Sequence, residues 1–433
     1  MILRPSGAGK ERGFSNVLDV IPLEEARSRI LATVPRLPAA TVALGEALGL
    51  VTVEDLSATE PIPPFANTGV DGYAVRAADT AGATPETPVR LRVVGELPAG
   101  KAPTVPVGPG EAIRIMTGAP APEGADAIVM VEDTSVESGG GGGAAGEVVA
   151  IRKAARPGDH VRPAGGDLAV GDAAFPAGSV LGPAHLGVVA SLGHPTVPVV
   201  RRPRVAVMST GDELVPPGEP LTIGQIRDSN RPMLMALVTQ TGCEVVDFGI
   251  GVDDEAVITE RLEKAAATCD AGVTSGGVSM GDYDIIKMVL SRIADMNWWQ
   301  IAIRPAKPLA FGMLGGVPVF GLPGNPVSSH VSFELFARPA LLQMMGHSRR
   351  FRPVTPAVAA HDMRRRVDGK LHLDRVTLRR EDGRLVAAEA GVQASNVLSA
   401  MALSDGLALL PDGEGVSAGE TIDVLRLDLP ADH

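Results

Sequence analysis

The chain has 433 residues, 45% hydrophobic, 21% charged and only 3% aromatic, with 51 glycines and 36 prolines. That length exceeds what a single core usually organises, so two to four domains are expected, with aliphatic cores and much backbone in shaped turns. The formal charge of −12 excludes a general nucleic-acid binder, which needs a basic footprint, yet it leaves room for a small anion held by a few local cations.

Cys243 and Cys269 are the only cysteines and the eight histidines have no ligand spacing. A structural zinc site is therefore excluded, and any metal should be a hard ion held by oxygen. Reduced thiols, no apolar signal core in "MILRPSGAGKERGF" and no apolar run of spanning length give the expectation of a cytoplasmic protein without a membrane segment.

Along the chain, residues 1–14 read as a flexible tail. "IPLEEARSRILATV" puts Leu23, Ala26, Ile30, Leu31 and Val34 on one helical face, with Pro22 near its start. Residues 15–62 and 166–200 are expected to form a discontinuous N-terminal helical and linker domain. Residues 63–165 carry short β-type runs ("VRLRVVGEL", "EAIRIMTG", "DAIVMVEDT") and predict an inserted β-rich domain. The glycine-rich stretch 138–146 has no following Lys-Ser/Thr, so it reads as a hairpin tip and not a phosphate loop. From residue 201 to 347 strands and helices alternate, which predicts a doubly wound, mainly parallel α/β domain. Residues 348–433 return to short β runs, a small C-terminal β domain.

In the α/β region the loops after successive strands share one kind of chemistry. Thr210-Gly211-Asp212-Glu213 follows "VAVMS", and Asp253 and Asp254 follow "DFGIG". Gly276, Gly277, Ser279, Asp282 and Asp284 follow "AGVTS", and Gly324, Asn325, Pro326 and Ser328 follow "VFGLP". Glycine lets backbone approach a phosphate, helix N-termini favour anions, and carboxylates suit Mg²⁺. Each loop alone reads equally well as a helix cap or turn; four at the ligand-binding edge of one sheet favour a site. "IRPAKP" adds Arg304 and Lys307, able to face one oxyanion. Asp71 and Tyr73 in "VDGYAV", Thr117 in "IRIMTGAPAP" and Asp167 in "RPAGGDL" stand apart in the N-terminal half.

In this order, "VDGYAV", "IRIMTGAPAP", "STGDEL", "IRDSN", "TSGGVSMGDYD", "RPAKPLAFG" and "LPGNPVSS" resemble the molybdopterin molybdenumtransferase family. That family includes the bacterial molybdenum-cofactor insertases and the E domain of gephyrin, and the resemblance covers nearly the whole chain. It implies a homodimer with a site between subunits. It further implies a reaction in which molybdate and adenylylated molybdopterin give molybdenum cofactor, with Mg²⁺-dependent phosphoanhydride cleavage and release of AMP, and it leaves room for transient contact with the upstream adenylyltransferase. Ser275, Gly276, Gly277, Ser279 and Gly281, with Pro323, Gly324, Asn325 and Ser328, would hold pterin and phosphate. Asp284, Glu213 and Asp253 would stand on the metal side, and Asp71, Thr117 and Asp167 would complete the site from the N-terminal half. Arg304, Lys307, Arg375 and Ser395 match positions linked to molybdate. Thr68 and Val70 replace a Ser-x-Met common before the DGYA motif, and Arg304 stands where many members have Lys, which changes a point donor into a planar fork. A non-catalytic molybdopterin-binding scaffold and a paralogue inserting tungsten are the alternative readings.

Overall fold

The computed structural model describes residues 20–136, 145–278 and 285–428. They form two compact units, one built from the segments up to Ala40, Gly49–Val51 and from Val199 onward, the other from Thr41–Leu48 and Thr52–Pro198.

The first unit is organised by a seven-stranded sheet. Its strands lie in the order Val20–Ile21, Asp295–Ile301, Pro308–Leu314, Val317–Leu322, Ala271–Ser275, Arg204–Thr210 and Glu244–Gly251. All neighbours run parallel except at Pro308–Leu314, which is antiparallel to both strands beside it. Central strands are buried on both faces, which is why "RVAVMST" and "AGVTS" read as unbroken small and β-branched runs. Helices Leu23–Thr33, Asn230–Gln240 and Pro326–Met344 share one apolar core with the sheet. Helices Glu255–Thr268 and Ile285–Ile293 share another, with Met208 and Val319.

The first helix departs from the expected N-terminal domain. Ala26 and Ile30 pack into the α/β core, and Val20–Ile21 adds a strand to the sheet edge. The long C-terminal helix of this region is also not continuous: Pro326–Ser332 and Arg338–Met344 flank a π turn at Phe333–Ala337. Pro339 has no N–H for the carbonyl of Leu335 four residues back, and Arg27 Nε donates to that carbonyl at 3.2 Å instead.

The C-terminal strands close on themselves. Leu371–Glu381, Arg384–Glu389, Val354–Ala359, Thr421–Arg426 and Gly406–Leu410 pair in a ring that returns to Leu371–Glu381, a five-stranded barrel without free edges. Ile303–Arg304 pairs in parallel with Leu371–His372 and so reaches the barrel from the α/β sheet.

The second unit contains a six-stranded sheet formed between Gly72 and Ile151 with an apolar cluster on each face. Tyr73 is buried in one of them and serves packing. Thr134–Val136 pairs with Val148–Ile151; residues 137–144, and with them most of the glycine-rich stretch, lie outside the described residues. Among the described residues no helix is long and apolar enough to cross a membrane.

Candidate active site

Two adjoining cavities open in the first unit, at the ends of the sheet strands and beside the barrel. One, of about 350 Å³, is walled by Thr210, Glu213, Asn230, Ser275, Gly276 and Gly324, with Asn325 and Pro326 at its edge. The other, of about 440 Å³, is lined by Arg304, Lys307, Ser328, Lys370, Ser395 and neighbours. Asn396 lines both.

The first cavity exists because backbone approaches backbone there. Gly276 follows the buried strand Ala271–Ser275 with φ +96°, and its N–H donates to the Leu322 carbonyl at 3.1 Å. A Cβ on Gly276 would stand 2.8 Å from the Thr210 carbonyl and 3.2 Å from the Thr210 hydroxyl; one on Gly324 would stand 3.9 Å from Gly276 Cα. A Cβ on Gly211 would overlap the Glu213 carboxylate, which folds back over the loop. Gly277 also has positive φ, at +77°. Pro323 is buried at the end of its strand.

Asn230, the first residue of its helix, ties two walls together. Its Nδ2 donates to Ser275 Oγ and to the Gly324 carbonyl, each at 2.7 Å. Asp228 just before it is almost fully buried and accepts from Ser209 Oγ at 2.6 Å and from Arg231 Nε at 2.9 Å, so its charge serves the scaffold. The "IRDSN" stretch was legible as a family motif, but the reach of Asn230 to strands far away in sequence left no local mark.

The carboxylates are arranged unequally. Asp254 caps the following helix, accepting from Val257 N–H at 3.0 Å, while the Asp253 carboxylate turns to the Asp212 backbone. The Asp253 N–H donates to Asp212 at 3.1 Å. Desolvation, and then the like charges of Asp212 and Glu213, raise the Asp253 carboxyl above its ordinary range. Among the described residues no three His, Cys, Asp or Glu groups come close enough to cage a metal. Ser279, Gly281 and Asp284 lie outside the described residues.

In the second cavity, the segment from Arg304 to Lys307 leaves the sheet and turns back into it, with Ala306 at φ +72°. Arg304 and Lys307 are exposed there, and Ser328 is buried in the first turn of its helix. Lys370 supplies a further cation, 3.2 Å from Asp368, which also holds the buried Arg365 at 2.9 Å. Lys370 went unnoticed in the sequence because nothing local distinguishes it from a surface lysine.

Arg375, expected beside the oxyanion, stands elsewhere. It is wholly buried, and its Nη2 donates to the carbonyls of Val392 at 3.0 Å and Ala394 at 3.2 Å. Its backbone N–H donates to Gln393 Oε1 at 2.8 Å. It therefore supports the loop that presents Ser395 and does not line the cavity itself.

Asp71, Thr117 and Asp167 belong to the second unit. Asp71 Oδ1 accepts from the backbone N–H of Thr117 at 2.7 Å and from its hydroxyl at 2.8 Å, and these two bonds hold the carboxyl below its ordinary range. Asp167 is exposed, its N–H donating to the Ile62 carbonyl at 2.8 Å.

Three family models account for most of the chain: the MoeA N-terminal region (domains I and II) over residues 21–193, a probable molybdopterin-binding domain over 206–343, and the MoeA C-terminal region (domain IV) over 357–427. The chain is 42% identical over 394 residues to molybdopterin molybdenumtransferase 2 of Mycobacterium tuberculosis, covering 89% of this chain and 95% of the relative. It is 36% identical over 411 residues to the molybdopterin molybdenumtransferase of Haemophilus influenzae, covering 94% and 98%. The solved structure of a molybdopterin biosynthesis MoeA protein from Pyrococcus horikoshii superposes with a TM-score of 0.76 at 33% identity, over 94% of this chain and 99% of that one. With models of the family matching successive regions from residue 21 to 427, and relatives of nearly equal length, the chain is an enzyme of the molybdopterin molybdenumtransferase family.

Proposed function

We propose that the enzyme inserts molybdenum from molybdate into adenylylated molybdopterin, releasing AMP, and that the two adjoining cavities divide this work. The observation that carries the reading is their contrast: one is walled mainly by glycine backbone, hydroxyls and carboxylates with the single cation Arg227, the other carries Arg304, Lys307 and Lys370, and they meet at Asn396.

Ser275, Gly276, Gly324 and Asn325 are suited to a pterin phosphate, because glycine backbone admits close approach and the Ser275 hydroxyl and Asn325 carboxamide bring polar groups to it. Asn230 keeps Ser275 and Gly324 at fixed separation through its two 2.7 Å bonds. The like charges that Asp212 and Glu213 place beside Asp253 suit a hard divalent cation that takes only one or two protein oxygens beside phosphate. Glu213 and Asp253 would hold Mg²⁺ together with Asp284, and the ion, when bound, neutralises charge on phosphate oxygens. Arg304, Lys307 and Lys370 orient molybdate as substrate, with Ser328 and Ser395 as hydrogen-bonding partners; fixing it beside the pterin turns a two-body encounter into a positioned one. Arg375 keeps the Ser395 loop in place from below. Asp71, Thr117 and Asp167 are assigned to a homodimer's shared site, and the cytoplasm is the expected compartment.

The test is AMP release from adenylylated molybdopterin in Mg²⁺ buffer, with and without molybdate. Release should depend on molybdate and fall on the order of 10²–10³-fold in Glu213→Gln, as for loss of one preorganised electrostatic group. Release within a few-fold of the parent enzyme would remove Glu213 from the metal side. Release with tungstate and not with molybdate would reassign the substrate.

A further inference from the structure

We propose that Arg365 is a positioning residue for the anion: its buried guanidinium sets where Lys370 stands in the cavity shared with Arg304 and Lys307. This rests on the reading of that cavity as the molybdate site and adds to it the group that holds one of its cations in place.

A lysine left to itself is a costly anion ligand, because its four-carbon stem spreads the ammonium over many rotamers that binding must then collapse. Here the stem is held. Lys370 lines the 440 Å³ cavity with its side chain 25% exposed, and its Nζ donates to Asp368 Oδ2 at 3.2 Å. An ammonium has three donors, so two remain for an oxyanion. Asp368 Oδ1 in turn accepts from Arg365 Nη2 at 2.9 Å. The Arg365 side chain is only 1% exposed. Its Nη1 donates to the carbonyl of Lys370 itself at 2.6 Å, and to those of Leu410 at 2.9 Å and Pro411 at 2.7 Å, where a barrel strand ends. Its Nη2 also donates to Asp412 Oδ1 at 2.8 Å. One guanidinium thus ties Lys370 to the barrel twice, at the backbone directly and at the ammonium through Asp368.

The same network reaches the second cation. Arg304 stands opposite His372 in the short parallel ladder, and the Leu371 N–H donates to the Ala302 carbonyl at 2.9 Å. His372 Nε2 lies 3.2 Å from Asp368 Oδ1. Asp368 therefore touches Lys370 on one side and the ladder partner of Arg304 on the other, so one carboxylate, held by Arg365, joins the supports of both cations. Lysine at position 365 would keep the charge but not this geometry, since a single ammonium cannot serve three carbonyls and two carboxylates at once.

The experiment is calorimetric titration of the full-length protein with molybdate, for the parent, Arg365→Lys, Lys370→Gln and the double variant, with molybdopterin titrated separately. Arg365→Lys should weaken molybdate binding about three- to tenfold, because Lys370 must then be ordered at binding and not beforehand. Its molybdopterin affinity should stay within about twofold of the parent's, which a collapsed barrel would not allow. Lys370→Gln should weaken molybdate binding at least as much. In the Lys370→Gln background, Arg365→Lys should change molybdate affinity by no more than about twofold, because the group through which it acts is gone. Parent-like molybdate affinity in Arg365→Lys, or an effect that persists in full without Lys370, overturns the proposal. So does parent-like affinity in Lys370→Gln, a change at a partly exposed side chain that the fold tolerates even where Arg365→Lys does not fold. Each of these leaves the molybdate reading standing on Arg304 and Lys307. A parent protein that binds molybdopterin and no molybdate overturns that reading as well.

Discussion

Gly276 is the position where one methyl group should be felt most. Its φ of +96° lies where L side chains rarely fit, and the added Cβ would meet the Thr210 carbonyl at 2.8 Å. The conformational part costs about 1–2 kcal/mol and the overlap about 1–3 kcal/mol, so Gly276→Ala should cost roughly 2–5 kcal/mol in all. The neighbouring atoms have little freedom to yield, since Thr210 ends a central strand and Gly276 N–H is bonded to the Leu322 carbonyl. The cost can be met in two ways. If the loop holds, unfolding free energy falls by that amount. If the loop shifts, the cavity wall moves and kcat/KM falls, by up to roughly 30- to 5,000-fold at 1.36 kcal/mol per decade. Urea unfolding and steady-state AMP release on the same preparation divide the cost between them. A variant with both quantities unchanged would refute the packing argument.

Two further outcomes follow from buried charge. Burial, with Glu389 nearby, pushes the Asp374 carboxyl up to about 6. Its folded value thus lies above an unfolded value of about 3.9, so the native state holds the extra proton and stability falls as pH rises from about 4 to about 6. Asp374→Asn should raise unfolding free energy by about 2–3 kcal/mol at pH 7.5 and leave it nearly unchanged at pH 4, measured by denaturant titration at both; equal effects at both pH values would show that the carboxyl is not protonated in the fold. Glu334 is buried against Arg352 Nε at 2.9 Å and Nη2 at 3.0 Å, with Arg338 at 3.7 Å. Glu334→Ala should lower stability by roughly 3–5 kcal/mol, seen as an earlier urea midpoint, without changing molybdate affinity.

What the sequence revealed depended on how local each determinant is. Strands such as Ala271–Ser275 and the Asp254-capped helix carried their signals within a few residues, in β-branched runs and a side chain that accepts from an N–H three positions on. The glycines at 276 and 324 were legible as close-approach positions for the same reason. Arg375 and Lys370 were not separable by inspection, because which of two basic residues in "GKLHLDR" faces a cavity depends on how the barrel closes. The interruption near Phe333 was equally hidden, since it is stabilised by Arg27, about three hundred residues earlier. Asn396 showed nothing in sequence; its place follows from two cavities that meet only in the folded chain.

The pairing of Ile303–Arg304 with Leu371–His372 has a consequence for how this protein can be cut or recombined. The barrel closes its own hydrogen bonds and so looks like a detachable cassette. Yet the arm carrying Arg304 and Lys307 is anchored on it, while the strands at both ends of that arm belong to the α/β sheet. A truncation that removed the barrel would strip the cavity of Arg304 and Lys307 of its support and leave the glycine-walled cavity largely furnished. A chimaera that exchanged barrels between relatives would, by the same connection, exchange the strand on which that arm is anchored while leaving the arm itself in place.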